Sequence, residues 1–148
     1  MTEQIPGIHV WLVLWKAFVA VRTKAEASLK TTGLGVSDFG VLEVLLNKGP
    51  LPVNAIGPKV HLTPGSISVA VDRLYEKGLV SRTEHEEDRR VRVVDLTPSG
   101  RTLSTQLLRQ HEAHMELVAE VLSSAERAQL TELLKKLGRY AEAITLPT

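Results

Sequence analysis

Apolar residues recur at three- and four-residue spacing near both ends of the chain, which predicts long amphipathic helices. The first helix is predicted over Ile8 to Leu29, and the run Gly33-Leu34-Gly35 ends it. Its apolar stripe is wider than the face of roughly 100° that a surface helix needs. We therefore expect this helix to be covered on two sides, by its own domain and by a second subunit.

A second helix is predicted to begin at Ser37, because serine hydroxyls accept hydrogen bonds from the free N–H groups of a first helical turn. The run from Gly49 to Pro52 ends it. The positions expected to face inward share helical spacing and are Phe39, Leu42, Leu45 and Leu46.

Two short helices joined by a tight turn are predicted next. The first covers Val53 to Val60 and is distorted by Pro58, which cannot donate a backbone hydrogen bond. The second begins with Thr63 as N-cap and Pro64 at the first helical position, and Gly78 ends it. Such a pair forms a helix-turn-helix, whose second helix presents its first residues to the major groove of DNA. A plain helical hairpin in a core is the alternative. The predicted inner face of the second helix is Ile67, Ala70, Val71 and Leu74.

A β-hairpin follows, with strands predicted over Leu79 to Thr83 and Val91 to Leu96. The loop between them is rich in arginine, and an arginine is attracted into a narrow minor groove of DNA. Asp88 lies two residues before Arg90, close enough to hold its guanidinium in a forked ion pair. A solvated charged loop is the alternative, because the acidic residues of the loop offset its arginines.

The last third of the chain predicts two more helices. Thr97-Pro98 begins a long helix that extends to about Leu122. Ser123 and Glu126 have the spacing of a capping box, which begins the final helix. One face of that helix is apolar and consists of Leu130, Leu133, Leu134, Leu137, Tyr140, Ala141 and Ile144.

The composition narrows the class of protein. A chain of 148 residues with 43% hydrophobic and 24% charged residues is typical of one globular domain. The absence of cysteine excludes disulfides and thiolate metal sites. The net charge of +1 means that any affinity for DNA must come from how the charges are arranged. No nucleophile elbow or phosphate-binding glycine loop is present, so we expect neither an enzyme nor a cofactor.

The N-terminal region does not predict a membrane protein. Met1 to Gly7 lacks the basic start of a signal peptide. The apolar run from Val10 to Val21 is shorter than the roughly 20 residues that span a bilayer. We therefore expect a soluble, cytoplasmic protein with no membrane partner.

Five motifs together resemble the MarR family of winged-helix transcriptional regulators. They are Leu62 to Ser68, Val71-Asp72-Arg73-Leu74, Lys77-Gly78-Leu79-Val80, Asp88-Arg89-Arg90 and Leu96-Thr97-Pro98-Ser99-Gly100. The resemblance is strong over residues 37–108 and extends to the flanking helices by pattern.

The resemblance implies a mainly α fold with a small β-hairpin wing, in which residues 1–148 form a single domain. Residues 36–100 would form the winged helix-turn-helix lobe, and residues 97–122 the connecting helix. Residues 1–32 and 123–148 would supply the dimerisation helices. The residues expected at the dimer interface are Ile8, Leu12, Leu133, Leu137, Tyr140 and Ile144.

The family further implies a homodimer whose two recognition helices enter successive major grooves of a palindromic operator in double-stranded DNA. The wings would reach the flanking minor grooves. Such proteins are commonly repressors that a small aromatic or phenolic ligand releases.

Val69 and Gly65 depart from the family pattern, because neither can form a hydrogen bond to a base through its side chain. The predicted DNA-binding residues are Pro64, Gly65, Ser66, Ser68, Val69, Arg73, Asp88, Arg89 and Arg90.

Trp11, Trp15, Phe39 and His111 are candidates for a cleft that binds an aromatic ligand between the first helix and the DNA-binding lobe. Ordinary core and dimer packing is the alternative for the aromatic residues. His111 and His114 share one helical stripe, and hydrogen-bonded histidines in a helix interface are the main interpretation. A zinc site would need a further ligand such as His9 or Glu112. We assign no metal site.

A second function remains open at this point. A winged helix can use its wing and helix surface for contacts with another protein, without binding DNA. The two functions differ in salt dependence, because release of counterions from phosphates makes DNA binding weaken steeply with salt.

Overall fold

The computed structural model describes residues 4–148, and over these residues it contains six α-helices and one three-stranded antiparallel sheet. The mainly helical fold with a small hairpin is confirmed. The first three residues of the predicted 1–32 segment lie outside the described part. The elements are α1 (Gly7–Ala27), α2 (Val36–Lys48), β1 (Leu51–Pro52), α3 (Val53–Lys59), α4 (Pro64–Glu76), β2 (Val80–Glu84), β3 (Arg92–Leu96), α5 (Pro98–Ala119) and α6 (Ser124–Ala143).

The predicted helix starts at Thr63, Thr97 and Ser123 are confirmed. The Thr63 hydroxyl oxygen accepts a hydrogen bond from the Ser66 N–H at 3.2 Å, and α4 follows directly. Thr97 Oγ1 and Ser123 Oγ accept from the third residue of their own helices in the same way. These bonds satisfy N–H groups that a first helical turn leaves free.

The predicted N-cap at Ser37 is wrong. Gly35 occupies the N-cap position, two residues before Ser37, and α2 begins at Val36. The carboxylate of Asp38 reaches back instead, and its Oδ2 accepts from the Gly35 N–H at 3.1 Å. A carboxylate at the third helical position can serve the free N–H of the N-cap residue, as the acidic member of a capping box does. Ser37 therefore lies inside the first turn.

The sheet contains a strand that the sequence did not predict. Residues Leu51 and Pro52 form β1, which pairs antiparallel with β3, where Leu51 lies opposite Val94. The sheet order is β1-β3-β2, so the predicted hairpin gains a short edge strand. An edge strand tolerates proline because one side of it makes no ladder hydrogen bonds.

The apolar core lies between α2, α3, α4, the sheet and the first half of α5. The predicted inner face of α4 is confirmed, since all four of its residues are buried. No residue of α1 or α6, as far as the structure describes them, is buried in the single chain. The buried apolar residues are Leu29, Leu34, Phe39, Val41, Leu42, Leu45, Ile56, Ile67, Ala70, Val71, Leu74, Leu79, Val80, Val94, Leu96 and Leu107.

The end of α4, the sheet and the start of α5 meet at Thr97. Its hydroxyl donates to the Gly78 carbonyl at 2.7 Å, and its N–H donates to the Leu79 carbonyl at 3.1 Å. Gly78 ends the α4 segment with a φ of 71°, a conformation that favours glycine. A Cβ at Gly100 would lie 1.8 Å from the Leu79 carbonyl oxygen, so α5 starts in direct contact with this backbone.

Candidate nucleic-acid interface

Five of the nine predicted DNA-binding residues are exposed in the first two turns of α4. Gly65, Ser68 and Val69 lie on successive turns opposite the buried face, and Pro64 and Ser66 are exposed in the first turn. The packing of the helix leaves this face open, and a Cβ at Gly65 would meet nothing within 4 Å. Glycine at this position is therefore not required by the core.

The two serines of this face make different hydrogen bonds within α4. Ser68 Oγ donates to the Pro64 carbonyl at 3.0 Å, so its oxygen keeps lone pairs for a donor outside the helix. Ser66 Oγ accepts from the Thr63 hydroxyl at 3.0 Å, so its own proton remains available to a phosphate or base oxygen. The face thus offers both an acceptor and a donor.

The wing holds Arg90 as the sequence predicted. Asp88 Oδ1 accepts from the Arg90 backbone N–H at 3.0 Å and from Nε at 3.2 Å, while Oδ2 accepts from Nη2 at 3.4 Å. The hydrogen bond from the Arg90 side chain, followed by that from its backbone, holds the pKa of Asp88 below its ordinary value. The Arg90 side chain is 91% exposed, so Asp88 aims a guanidinium that remains open to a ligand.

A groove of about 490 Å³ separates the first turns of α4 from the wing. Pro64 and Ser68 lie on one wall, Arg90 and Arg92 lie on the other, and Asn54 of α3 is among the remaining lining residues. The helix face and the wing arginine therefore border the same space. A polyanion seated on α4 would meet Arg90 at the edge of this groove.

Arg73 lies on the opposite flank of α4 and contacts α2. Its Nη2 and Nε donate to Asp38 Oδ1 at 2.8 and 3.2 Å, and the hydrogen bond and charge of Asp38 raise the pKa of Arg73. The guanidinium is about half exposed, so its role toward DNA stays a prediction. This pair was not predicted from the sequence, because its members are 35 residues apart.

A second ion pair that the sequence did not reveal connects α4 to the wing. Arg82 of β2 donates from Nη1 to Asp72 Oδ1 at 2.5 Å. The Arg82 guanidinium carbon also lies 4.0 Å from the centre of the Tyr75 ring, a cation–π distance. Asp72 and Tyr75 thus hold one arginine between α4 and the base of the wing.

The four candidates for a ligand cleft form two separate groups. The ring centres of Phe39 and His111 are 5.1 Å apart, and His111 Nδ1 is buried without a hydrogen-bond partner in the described chain. Trp11 and Trp15 stack at 5.8 Å on the exposed side of α1, and Trp15 continues to Phe18 at 6.2 Å. Between residues 4 and 148, no aromatic contact joins the two groups.

His114 does not share the surroundings of His111. It lines a hollow of about 470 Å³ between α1 and α5, together with Lys24, Ser28 and Leu117. Among the residues that the structure describes, no cluster of three His, Cys, Asp or Glu side chains could hold a metal ion. The expectation of hydrogen-bonded histidines is wrong for Nδ1 of His111, which is buried without a partner among the described residues.

The residues predicted for a dimer interface all lie on exposed surface in the single chain. They divide between α1, with Ile8 and Leu12, and the C-terminal segment, with Leu133, Leu137, Tyr140 and Ile144. Contiguous apolar surface of this kind marks an interaction site. None of the helices within residues 4–148 combines the length and hydrophobicity that a transmembrane segment needs.

Sequence comparisons relate this chain to helix-turn-helix transcriptional regulators. The MarR family model matches residues 35–91. The HTH-type transcriptional regulator MhqR of Bacillus subtilis is 34% identical over 142 residues, covering 96% of this chain and 97% of that protein.

Two solved structures have a similar fold. BpsR of Bordetella bronchiseptica, whose DNA binding is regulated by 6-hydroxynicotinic acid, gives a TM-score of 0.80 at 22% identity over 93% of this chain and 95% of that one. FabT of Streptococcus pneumoniae, solved in complex with DNA, gives a TM-score of 0.78 at 22% identity over 95% of this chain and 100% of that one. At this level of identity the likeness concerns the fold.

Proposed function

Since the chain belongs to the MarR family of DNA-binding transcriptional regulators, we propose that it is a homodimeric, sequence-specific repressor that a small aromatic ligand releases from its operator. Members of the family regulate transcription and are not enzymes. The observation that carries the proposal is the shared groove, which the open face of α4 and the fixed Arg90 border from opposite sides.

In this proposal α4 enters the major groove of double-stranded DNA. Gly65 allows the helix backbone to approach closely, and Val69 offers apolar contact to a thymine methyl group. Arg90 enters the adjacent minor groove, where a narrow groove concentrates negative potential. Arg89 and Arg73 add charge near the phosphates, which increases affinity without reading sequence.

The proposed dimer covers the apolar faces of α1 and α6. Homodimers are typical of the family. Both faces expose large side chains over several helical turns, and a second copy of the chain would remove them from water. A twofold axis would present two α4 helices to successive major grooves, which predicts a palindromic operator.

The ligand would act at His111 and Phe39. A buried ring nitrogen without a partner is costly, and a hydroxyl or carboxyl of an aromatic ligand would satisfy it. BpsR, a protein of the same fold, responds to the aromatic acid 6-hydroxynicotinic acid. Trp11 and Trp15 lie on α1 and would report rearrangement of that helix by their fluorescence.

Selection of bound duplexes from random DNA is the direct test. We expect an enriched palindrome, with log K for that duplex falling by about 0.9 per phosphate contact per log unit of salt. A protein–protein module without DNA binding would enrich nothing.

The selected duplex should then be titrated with salicylate, which we expect to release it and to change tryptophan fluorescence saturably. If neither salicylate nor a panel of related phenolic acids changes the affinity for the duplex, the proposed aromatic ligand is wrong, but the proposed DNA binding stands.

A further inference from the structure

We propose that Arg82 is a positioning residue that masks the Asp72 carboxylate from DNA. This inference rests on the proposed DNA-binding function. Arg82 was not among the predicted DNA-binding residues. The inference explains how the acidic Asp72 can lie on a surface that approaches DNA phosphates.

Asp72 lies on the DNA-facing side of α4. It follows Ser68 by four residues and Val69 by three, and residues at these spacings share one face of a helix. Its side chain is 60% exposed. A free carboxylate at this place would repel the phosphate backbone that α4 must approach.

Arg82 of strand β2 neutralises this charge through an ion pair. Its guanidinium contacts the Asp72 carboxylate and lies over the ring of Tyr75 at 4.0 Å. The Arg82 side chain is only 24% exposed, whereas that of Arg90 is 91% exposed. Arg82 is therefore held against the protein, and its charge is used on Asp72 rather than offered to a ligand.

The contact also has a direction. Tyr75 follows Ser68 by seven residues and Pro64 by eleven, so helical spacing puts all three on one flank of α4. Pro64 and Ser68 border the groove beside the wing. Because Arg82 belongs to β2, its contact fixes the Asp72 carboxylate on the side of α4 that faces this strand. Masking and orientation come from a single side chain.

A double-mutant cycle tests this role on the full-length protein. The probe is a fluorescent duplex selected by the wild-type protein from random DNA, and the readout is anisotropy over a range of salt concentrations. We expect Arg82→Gln to weaken binding by about tenfold, because it frees the carboxylate. Asp72→Asn should bind at least as tightly as the wild type. The double variant should bind within about threefold of Asp72→Asn, since the charge to be masked is gone.

Two results would overturn the inference. If the double variant stays as weak as Arg82→Gln, then Arg82 contacts DNA itself, and the salt slope of the double variant should fall by about 0.9 relative to wild type. If Arg82→Gln binds like the wild type, no masking occurs. The Arg82→Lys variant keeps the charge and should retain most of the affinity.

Separate control measurements distinguish a folding defect from a loss of DNA binding. Circular dichroism and thermal unfolding should show that the single variants stay folded, since exposed ion pairs contribute little to stability. Should Arg82→Gln not fold, Asp72→Asn still decides, because a tenfold loss of affinity in that variant contradicts masking. Absence of duplex binding by the wild type would overturn the proposed function and this inference together. Wild-type binding with an unrescued double variant would overturn the inference alone.

Discussion

Asp38 and Arg73 connect the start of α2 to the middle of α4 through one shared carboxylate. Asp38 Oδ1 accepts from both Nη2 and Nε of Arg73, while Oδ2 accepts from the Gly35 N–H. The Asp38 side chain is 4% exposed, so its charge is stabilised by these bonds rather than by water. Helix α4 is thereby fixed against α2 on the flank opposite the wing.

Asp38→Ala should lower the free energy of unfolding by about 2–4 kcal/mol, because it removes a helix cap and the charged bonds to Arg73. Urea unfolding followed by circular dichroism measures this. The matched control is Glu43→Ala, which removes a carboxylate from the same helix. Equal effects of the two substitutions would show that Asp38 has no special structural role.

Arg90→Ala should weaken binding to the selected operator by about 1–3 kcal/mol. Fold and oligomeric state should stay unchanged, since the residue lies on an exposed loop. Gel-shift titration with the operator and with a scrambled duplex separates specific from general affinity. Arg89→Ala is the control and should weaken both duplexes alike, as loss of a phosphate contact does. Unchanged operator affinity of Arg90→Ala would exclude the wing from sequence recognition.

The clamp between Asp88 and Arg90 should persist from neutral to mildly acidic pH. The pKa of Asp88 is lowered by Arg90, so the ion pair is fully present above the ordinary aspartate pKa of about 4 and is lost only as pH falls through the lowered value. Carbon-detected NMR of the Asp88 carboxyl measures this titration directly. In Arg90→Ala the midpoint should return upward. A midpoint that is the same in both proteins would show that the clamp does not form in solution.

Gly65→Ala separates DNA binding from folding. The added methyl meets open space, and alanine favours a helix over glycine, so stability should be unchanged or rise by up to about 1 kcal/mol. Operator affinity should fall, because the methyl prevents close approach of the helix backbone. Gly100→Ala is the opposite case: its Cβ would lie 1.8 Å from the Leu79 carbonyl oxygen, and we expect loss of more than about 3 kcal/mol of stability. Thermal unfolding and anisotropy on both variants check the pair.

Leu137→Glu should dissociate the proposed dimer, because it places a charge in the apolar face of α6. Sedimentation equilibrium reports the subunit mass, and operator affinity should fall with the dimer. Arg139→Glu introduces the same side chain on the polar face of the helix and serves as the control. A Leu137→Glu protein that still sediments as a dimer would move the interface away from α6.

The sequence predicted those parts of the fold that depend on neighbouring residues. Thr63 and Thr97 carry their own caps, and the Asp88–Arg90 clamp joins residues two apart, so local spacing was sufficient. The two-residue strand β1 could not be predicted, because it forms only by pairing with β3, in which Val94 lies opposite Leu51 and Val93 opposite Pro52. The Arg82–Asp72 and Asp38–Arg73 pairs were missed for the same reason: they form only when separate elements pack together. The N-cap at Ser37 was wrong because Asp38 accepts from the Gly35 N–H, so Gly35 is the N-cap and Ser37 lies inside the first turn.

The bonds made by Thr97 restrict how a ligand signal could reach DNA. Thr97 makes hydrogen bonds to the end of α4, to the residue before β2 and to the first turn of α5, so we expect these three elements to move together as a block. In the proposed dimer, an effector near His111 would therefore change the span between the two blocks rather than the shape of either one. Affinity for the operator would then depend on the distance between the α4 helices of the two subunits.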